Sequence, residues 1–294
     1  MVAVVGAARC TSLVSGSDPG VQPRLRELHE RLWAAYNDRT EMKRYYEVAE
    51  AVNAHWHPWT FHGVIRSLAS QGMSVLDFGC GSGHAWENLR ETGVRYTGID
   101  WSKAQIEENH TQFRGQPVDF LAASLYEVPA PTGSFDLVIS LYVLEHVVWP
   151  RQMLAEMVRL TKPGGMVAIL CPHYRSMARM PSLPHGGPGS LRDKLRRGDL
   201  DAAAKHVWMR WYWPRTVRRQ YPNQEVPWLI NVTPAFLQEG WSVDNDAVYF
   251  VDRPECVSEL KRNGATDITE AVLARFPEKL RRDKHVCFIV AEKE

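Results

Sequence analysis

The chain has 294 residues, 45% of them hydrophobic and 23% charged, with a formal net charge of +1. That is the balance of an ordinary globular protein, long enough to bury a full core without disulfide staples. The near-zero charge excludes a global field that would draw the whole molecule to nucleic acid or membrane.

Ser, Gly and Pro up to Pro23 predict a loose tail over residues 1–22. Pro23 can open a helix, with Leu25, Leu28 and Leu32 on one face and Trp33 and Tyr36 beside them. A second helix is expected over Glu41 to Asn53, ended by His55-Trp56-His57-Pro58-Trp59, and a third carries Phe61, Val64, Ile65 and Leu68. These helices form an N-terminal cap over residues 23–73. From residue 74 the pattern changes. Apolar runs at 74–78, 95–99, 118–121, 135–140 and 166–171 read as strands. Helical stretches at 86–92, 103–113 and 150–160 fall between them. This alternation predicts an α/β fold, a mostly parallel sheet with helices on both faces. Residues 172–235 break the alternation and read as an insertion. Residues 236–294 return to strands near Asp246–Val251 and His285–Ala291, with a short insertion over 252–275.

The five cysteines (Cys10, Cys80, Cys171, Cys256 and Cys287) are widely spaced, without CxxC or Cys/His patterns. Neither a disulfide framework nor a metal site is expected, and a reducing cytoplasm fits. No stretch reaches the roughly 18 apolar residues of a membrane span, and the amino-terminal segment lacks the basic and apolar regions of a signal peptide. The oligomeric state is left open.

The most informative segment is Val75-Leu76-Asp77-Phe78-Gly79-Cys80-Gly81-Ser82-Gly83. A glycine turn between a first strand and a helix lets a ligand approach the backbone closely. Asp100 ends the second strand, where a carboxylate can accept hydrogen bonds from ribose hydroxyls. The two features together imply a nucleoside cofactor. His84 stands where a dinucleotide site needs its third glycine, and Asp77 would repel a pyrophosphate. The same carboxylate could hold the ammonium of a methionine moiety.

VLDFGCGSG resembles the first motif of class I S-adenosylmethionine-dependent methyltransferases. Tyr96–Ser102 resembles the second, Phe135–His146 the fourth, and Leu160–Gly165 the turn before the fifth strand. The resemblance implies a Rossmann-like, seven-stranded, mostly parallel sheet with its last pair antiparallel, and a core over 74–171. It implies methyl transfer from S-adenosylmethionine, leaving S-adenosylhomocysteine, to a small-molecule or sugar- or lipid-linked acceptor by O- or N-methylation. Gly79, Cys80 and Gly81 would line the methionine part, Asp100 the ribose and Trp101 the adenine face, with Leu141 near the methionine moiety. The acid that the family often has after the third strand is replaced by Ala123-Ser124-Leu125, where Ser124 and Leu125 would face the cofactor.

Candidates for chemistry lie at the carboxyl ends of the strands: His146 after the fourth and His173 with Tyr174 after the fifth. Tyr46, beside Tyr45, is a candidate for covering the sulfonium by cation–π attraction. Between Leu191 and Gln220, nine Lys/Arg interleave with Trp208, Trp211, Tyr212 and Trp213. That suits an acceptor with anionic and flat parts, and makes 172–235 an acceptor lid with Tyr174, Trp208, Trp211 and Tyr212 as binding residues. A solvated amphipathic lid reads equally well. No motif for base amino groups follows the fourth strand, so nucleic acid is not expected. Two other readings stay open: an NAD(P)-dependent oxidoreductase, and a non-catalytic S-adenosylmethionine-binding interaction protein.

Overall fold

Strands of period two and capped helices build the core of the molecule. A computed structural model describes residues 13–38, 45, 56–177, 180–183, 191–207, 228–239, 241–242 and 244–294. Helix α1 (Gln22–Tyr36) buries Leu25, Leu28, Leu32 and Tyr36 and leaves Trp33 exposed. Helix α2 (Phe61–Leu68) starts at Thr60, whose hydroxyl accepts a hydrogen bond from the Gly63 N–H at 3.3 Å.

The chain then alternates through β2 (Ser74–Phe78), α3 (His84–Leu89), β3 (Arg95–Asp100), α4 (Lys103–Gln112) and β4 (Val118–Ala122). It continues through β5 (Phe135–Leu141), α5 (Pro150–Leu160) and β6 (Thr161–Pro172). Ser102 caps α4 and Pro150 opens α5. Leu76, Phe78, Ile99 and Val138 pack into one core cluster and Val75, Tyr96, Leu137 and Ile139 into another. The split follows strand alternation, so each face of the sheet carries its own core.

The main sheet has seven strands in the order β4-β3-β2-β5-β6-β9-β8, where β9 is Val286–Lys293 and β8 is Ala265–Asp267. The strands from β4 to β6 are parallel, and β9 runs antiparallel to both β6 and β8. The chain moves outward from β2 to β4 and returns at β5, so the order reverses between β2 and β5. The carboxyl ends of those two strands form the crevice where such sheets bind ligands.

The observed edge differs from the sequence expectation. Asp246–Val251 is buried throughout, but it contributes only an isolated bridge, between Tyr249 and Ile230. The Val248 and Tyr249 N–H groups donate to the Glu145 carbonyl instead, at 2.7 and 2.9 Å. The edge strand comes from 265–267, and helix α6 (Arg253–Arg262) leads into it. Residues 13–15, expected in a loose tail, form β1 and pair antiparallel with β7 (Leu229–Asn231). The stretch after β6 contains further short helices, among them Tyr174–Met177, Leu191–Arg196 and Leu200–Val207. The expected helix over 41–53 lies outside the described residues apart from Tyr45.

Candidate active site

The glycine turn is pinned by backbone bonds to the next strand. The Gly79 and Cys80 N–H groups donate to the Ile99 carbonyl at 2.8 and 2.9 Å. Gly79, Gly81 and Gly83 have φ of 74°, 49° and 82°, the left-handed region that glycine alone enters without strain. A Cβ on Gly79 would stand 2.5 Å from Val143 Cγ2, whereas one on Gly81 would project into open space. The turn must therefore be bare where it packs against Val143.

Two carboxylates flank it. Asp100 Oδ2 accepts from the Gly81 N–H at 3.1 Å, and Oδ1 accepts from the Ser102 N–H at 2.8 Å. Asp77 Oδ2 accepts from the Tyr96 hydroxyl at 2.5 Å. Burial raises the Asp77 carboxyl to about 7, against the opposing Tyr96 bond, and also raises Asp100. The cleft between them encloses about 900 Å3, open mouth included, within the roughly 300–1,000 Å3 of small-molecule sites. No lysine or arginine lines it among the described residues. Two buried acids without a cation suit a ligand that brings a positive charge and hydroxyl groups, and would repel a diphosphate.

Most of the residues expected at the cofactor meet here. Asp77, Gly79, Cys80, Gly81, Asp100, Trp101, Leu125 and Leu141 all line the cleft. Ser124 does not; it is exposed on the far flank of Trp101, with its Oγ accepting from the Tyr126 N–H at 3.2 Å.

His146 lines the same cleft and is buried. Its Nδ1 lies 3.3 Å from Asp246 Oδ2, and its Nε2 lies 3.8 Å from Glu145 Oε1. Burial alone would lower its pKa, but the carboxylates of Asp246, Glu145 and Asp244 outweigh burial and raise it. Glu145, fully buried, is itself pushed up to about 8. The Tyr36 hydroxyl donates to Asp246 Oδ2, which ties the carboxylate to the end of α1. Tyr36 and Tyr45 meet edge to face at 5.5 Å and both line the cleft. Tyr142, at the end of β5, has a φ of 57°, a strained conformation for a side-chain-bearing residue, and also faces the cleft.

The structure does not bring His173 and Tyr174 to this cleft. His173 sits in a separate depression with Arg253 and Phe288. Its Nε2 is 3.2 Å from Asp252 Oδ1 and its Nδ1 is 3.1 Å from the Lys284 carbonyl. Tyr174 points into the core and is 1% exposed. Tyr46, Trp208, Trp211 and Tyr212 lie outside the described residues. Sequence reasoning missed Tyr36, Tyr142 and Asp246 as lining or support. A buried acid in the apolar run 245–251 was the available signal for Asp246.

Fold, switch-point crevice and acidic glycine turn together define a Rossmann-like domain for a cationic nucleoside. Residues 76–169 match the family described as Methyltransferase domain. The chain is 32% identical over 154 residues to the ubiquinone biosynthesis O-methyltransferase of Aromatoleum aromaticum. That match takes in 51% of this chain and 61% of the relative. It is 29% identical over 197 residues to the enzyme of the same name from Ralstonia nicotianae, covering 66% of this chain and 77% of that one. The chain thus spans about three fifths of the Aromatoleum relative's length. Among solved structures, it resembles Burkholderia thailandensis 1,6-didemethyltoxoflavin-N1-methyltransferase with bound 1,6-didemethyltoxoflavin and S-adenosylhomocysteine. There the TM-score is 0.52 at 17% identity, over 91% of this chain and 89% of that one. Residues 76–169 thus carry a methyltransferase domain, on a fold that the chain shares with S-adenosylmethionine-dependent methyltransferases.

Proposed function

We propose that this protein methylates a hydroxyl group of a small, flat acceptor, using S-adenosylmethionine as donor and His146 as general base. The observation that carries the reading is the pairing of His146 with Asp246 in the wall of the cleft that holds the glycine turn. When bound, the cofactor supplies an electrophilic methyl group on a sulfonium. Asp77 would hold its ammonium, Asp100 its ribose, and Trp101 its base. Tyr36 and Tyr45 line the cleft, and their rings would attract the positive charge. His146, in the wall of the cleft, would take the proton of the acceptor hydroxyl, leaving an oxygen able to receive the methyl group. The Asp246 carboxylate, 3.3 Å from Nδ1, would stabilise the imidazolium that results by its charge. The names of the ubiquinone-type relatives support an oxygen acceptor.

The absence of lysine and arginine from the described lining of the cleft favours an uncharged reacting end. An anionic part of the acceptor would meet the basic and aromatic residues of 172–235, which we assign as the acceptor lid. Among the described residues no helix is long and apolar enough to cross a membrane. With its described cysteines all free, a reducing cytoplasm fits.

Labelled methyl transfer to a panel of catechols, phenols and amines tests the reading. Phenolic or catecholic products, with rates falling as pH drops through the raised pKa of His146, are expected. Asp246→Asn removes the foremost carboxylate that raises this pKa, so the acid limb should move to lower pH. An acid limb unmoved in that variant, or methylation of amines alone, would overturn the assignment.

A further inference from the structure

A second depression lies past the carboxyl end of β6, beside the start of β9, and holds about 740 Å3 with its mouth included. It shares no lining residue with the cleft. Trp56, ahead of α2, lines the cleft, while Phe61, the first residue of α2, lines the depression. The apolar part of the lining is Phe61, Leu273, Leu280 and Phe288, all buried and all of one core cluster. The rings of Phe61 and Phe288 are 4.8 Å apart, and the short helices Thr269–Leu273 and Glu278–Arg282 supply the two leucines.

The charged part of the lining is Arg253, Arg281 and Lys284 with two acids, Glu270 and Asp283. This reverses the cleft, whose described lining holds acids and no lysine or arginine. Most of these groups are already engaged. Arg253 Nε donates to the Phe288 carbonyl at 3.1 Å, and its Nη2 donates to Asp267 at 2.8 Å. Asp283 accepts from the His285 N–H at 2.9 Å. The His173 ring meets the Lys284 carbonyl through Nδ1 and the Arg253 N–H through Nε2. Arg281 and Lys284 differ. Both are exposed, and neither side chain makes a hydrogen bond or ion pair with a described residue. Glu278, on the same short helix as Arg281, is taken by Arg282 at 2.6 Å, and Glu270 pairs with neither cation.

Two unpartnered cations beside an apolar wall match a ligand with an apolar body and an anionic head. A guanidinium offers paired donors that fit the two oxygens of a carboxylate, and a lysine adds a point charge beside it. We infer that this depression binds a small amphiphilic carboxylate, its body against Phe61, Leu273, Leu280 and Phe288 and its head on Arg281 and Lys284. The site is separate from the cofactor cleft, and the inference does not depend on the methyl-transfer reading.

Titration of the full chain with phenylbutyrate tests it, read from the methyl resonances of the leucines. The uncharged amide and the amine of the same skeleton serve as comparisons. Leu273 and Leu280 should shift as the carboxylate is added, while Leu125 and Leu141 in the cleft should not. The carboxylate should bind about tenfold more tightly than the amide, the worth of hydrogen bonds to charged groups. Combining Arg281→Gln with Lys284→Gln should bring the carboxylate to the affinity of the amide. The melting temperature should not change, because neither side chain has a partner among the described residues to lose. Silent Leu273 and Leu280 methyls, tighter binding of the amine, or a preference for the carboxylate retained in the double variant overturns the inference. Each of these results leaves the cofactor reading standing.

Discussion

At the scale of single residues the site is governed by buried acids. Asp100 holds both of its oxygens against backbone N–H groups and lines the cleft. Replacing it with alanine should weaken adenosylhomocysteine binding by about 1.5–3 kcal/mol, the worth of hydrogen bonds to a charged group. Unchanged affinity in calorimetry would remove Asp100 from the site. Asp77 behaves differently because burial lifts its carboxyl to about 7. Only its ionised form attracts an ammonium. Affinity should therefore fall as pH drops from 8 to 6, approaching about tenfold per unit once the carboxyl is mostly protonated. Asp77→Asn should bind weakly and with no such slope. A wild-type affinity that is flat over this range would show that Asp77 does not meet the ammonium.

At the scale of elements the glycine turn and the end of α1 do the positioning. Gly79 and Gly81 share a left-handed backbone but differ in what a methyl group would meet. In Gly79→Ala the added carbon collides with Val143, so strain and overpacking should together cost about 2–4 kcal/mol. In Gly81→Ala the carbon meets nothing within 4 Å, so only the left-handed strain of about 1–2 kcal/mol should reach stability. Its larger effect should be lost cofactor binding. Denaturant midpoints and calorimetry on the two variants separate these outcomes; equal stability losses would refute the contrast. Helix α1 was legible from its leucine stripe and Pro23. Its role was not. The Ser102 hydroxyl donates to the Tyr36 carbonyl at 3.1 Å, and the Lys103 N–H donates to Asn37 Oδ1 at 3.1 Å. These bonds dock the end of α1 onto the start of α4 and bring Tyr36 to Asp246. Contacts between segments 66 and 210 residues apart leave no local trace in sequence.

At the scale of the whole molecule, buried acids set how stability varies with pH. Burial raises Asp77 to about 7, and Glu145 and Glu255 to about 8. Between their ordinary and raised values the folded chain holds protons that the unfolded chain has released. Stability then falls as pH rises through that window. The raised His146 acts in the same direction, since its contribution is lost as pH climbs through its folded value. The protein without cofactor should thus melt at a higher temperature at pH 6 than at pH 8.5. Adenosylhomocysteine should narrow the gap, because an ammonium beside Asp77 favours its ionised form. A melting temperature that rises over the same interval, followed by circular dichroism, would contradict this account.

What the sequence determined by itself is the local part of this molecule. Alternating apolar runs, capping residues and the glycine turn after Asp77 define the strands β2 to β6, their helices and the turn and acids at the cleft, because each signal is local in the chain. The tertiary structure decided the rest. Residues 265–267 rather than 246–251 take the sheet edge, since the backbone of Val248 and Tyr249 is engaged by Glu145. His146 gains its carboxylate partner from a segment 100 residues away, while His173, beside the end of a central strand, turns away into a different depression. Which candidate side chain meets the cleft depends on how distant segments pack, and packing energy is shared across contacts that no window of sequence contains.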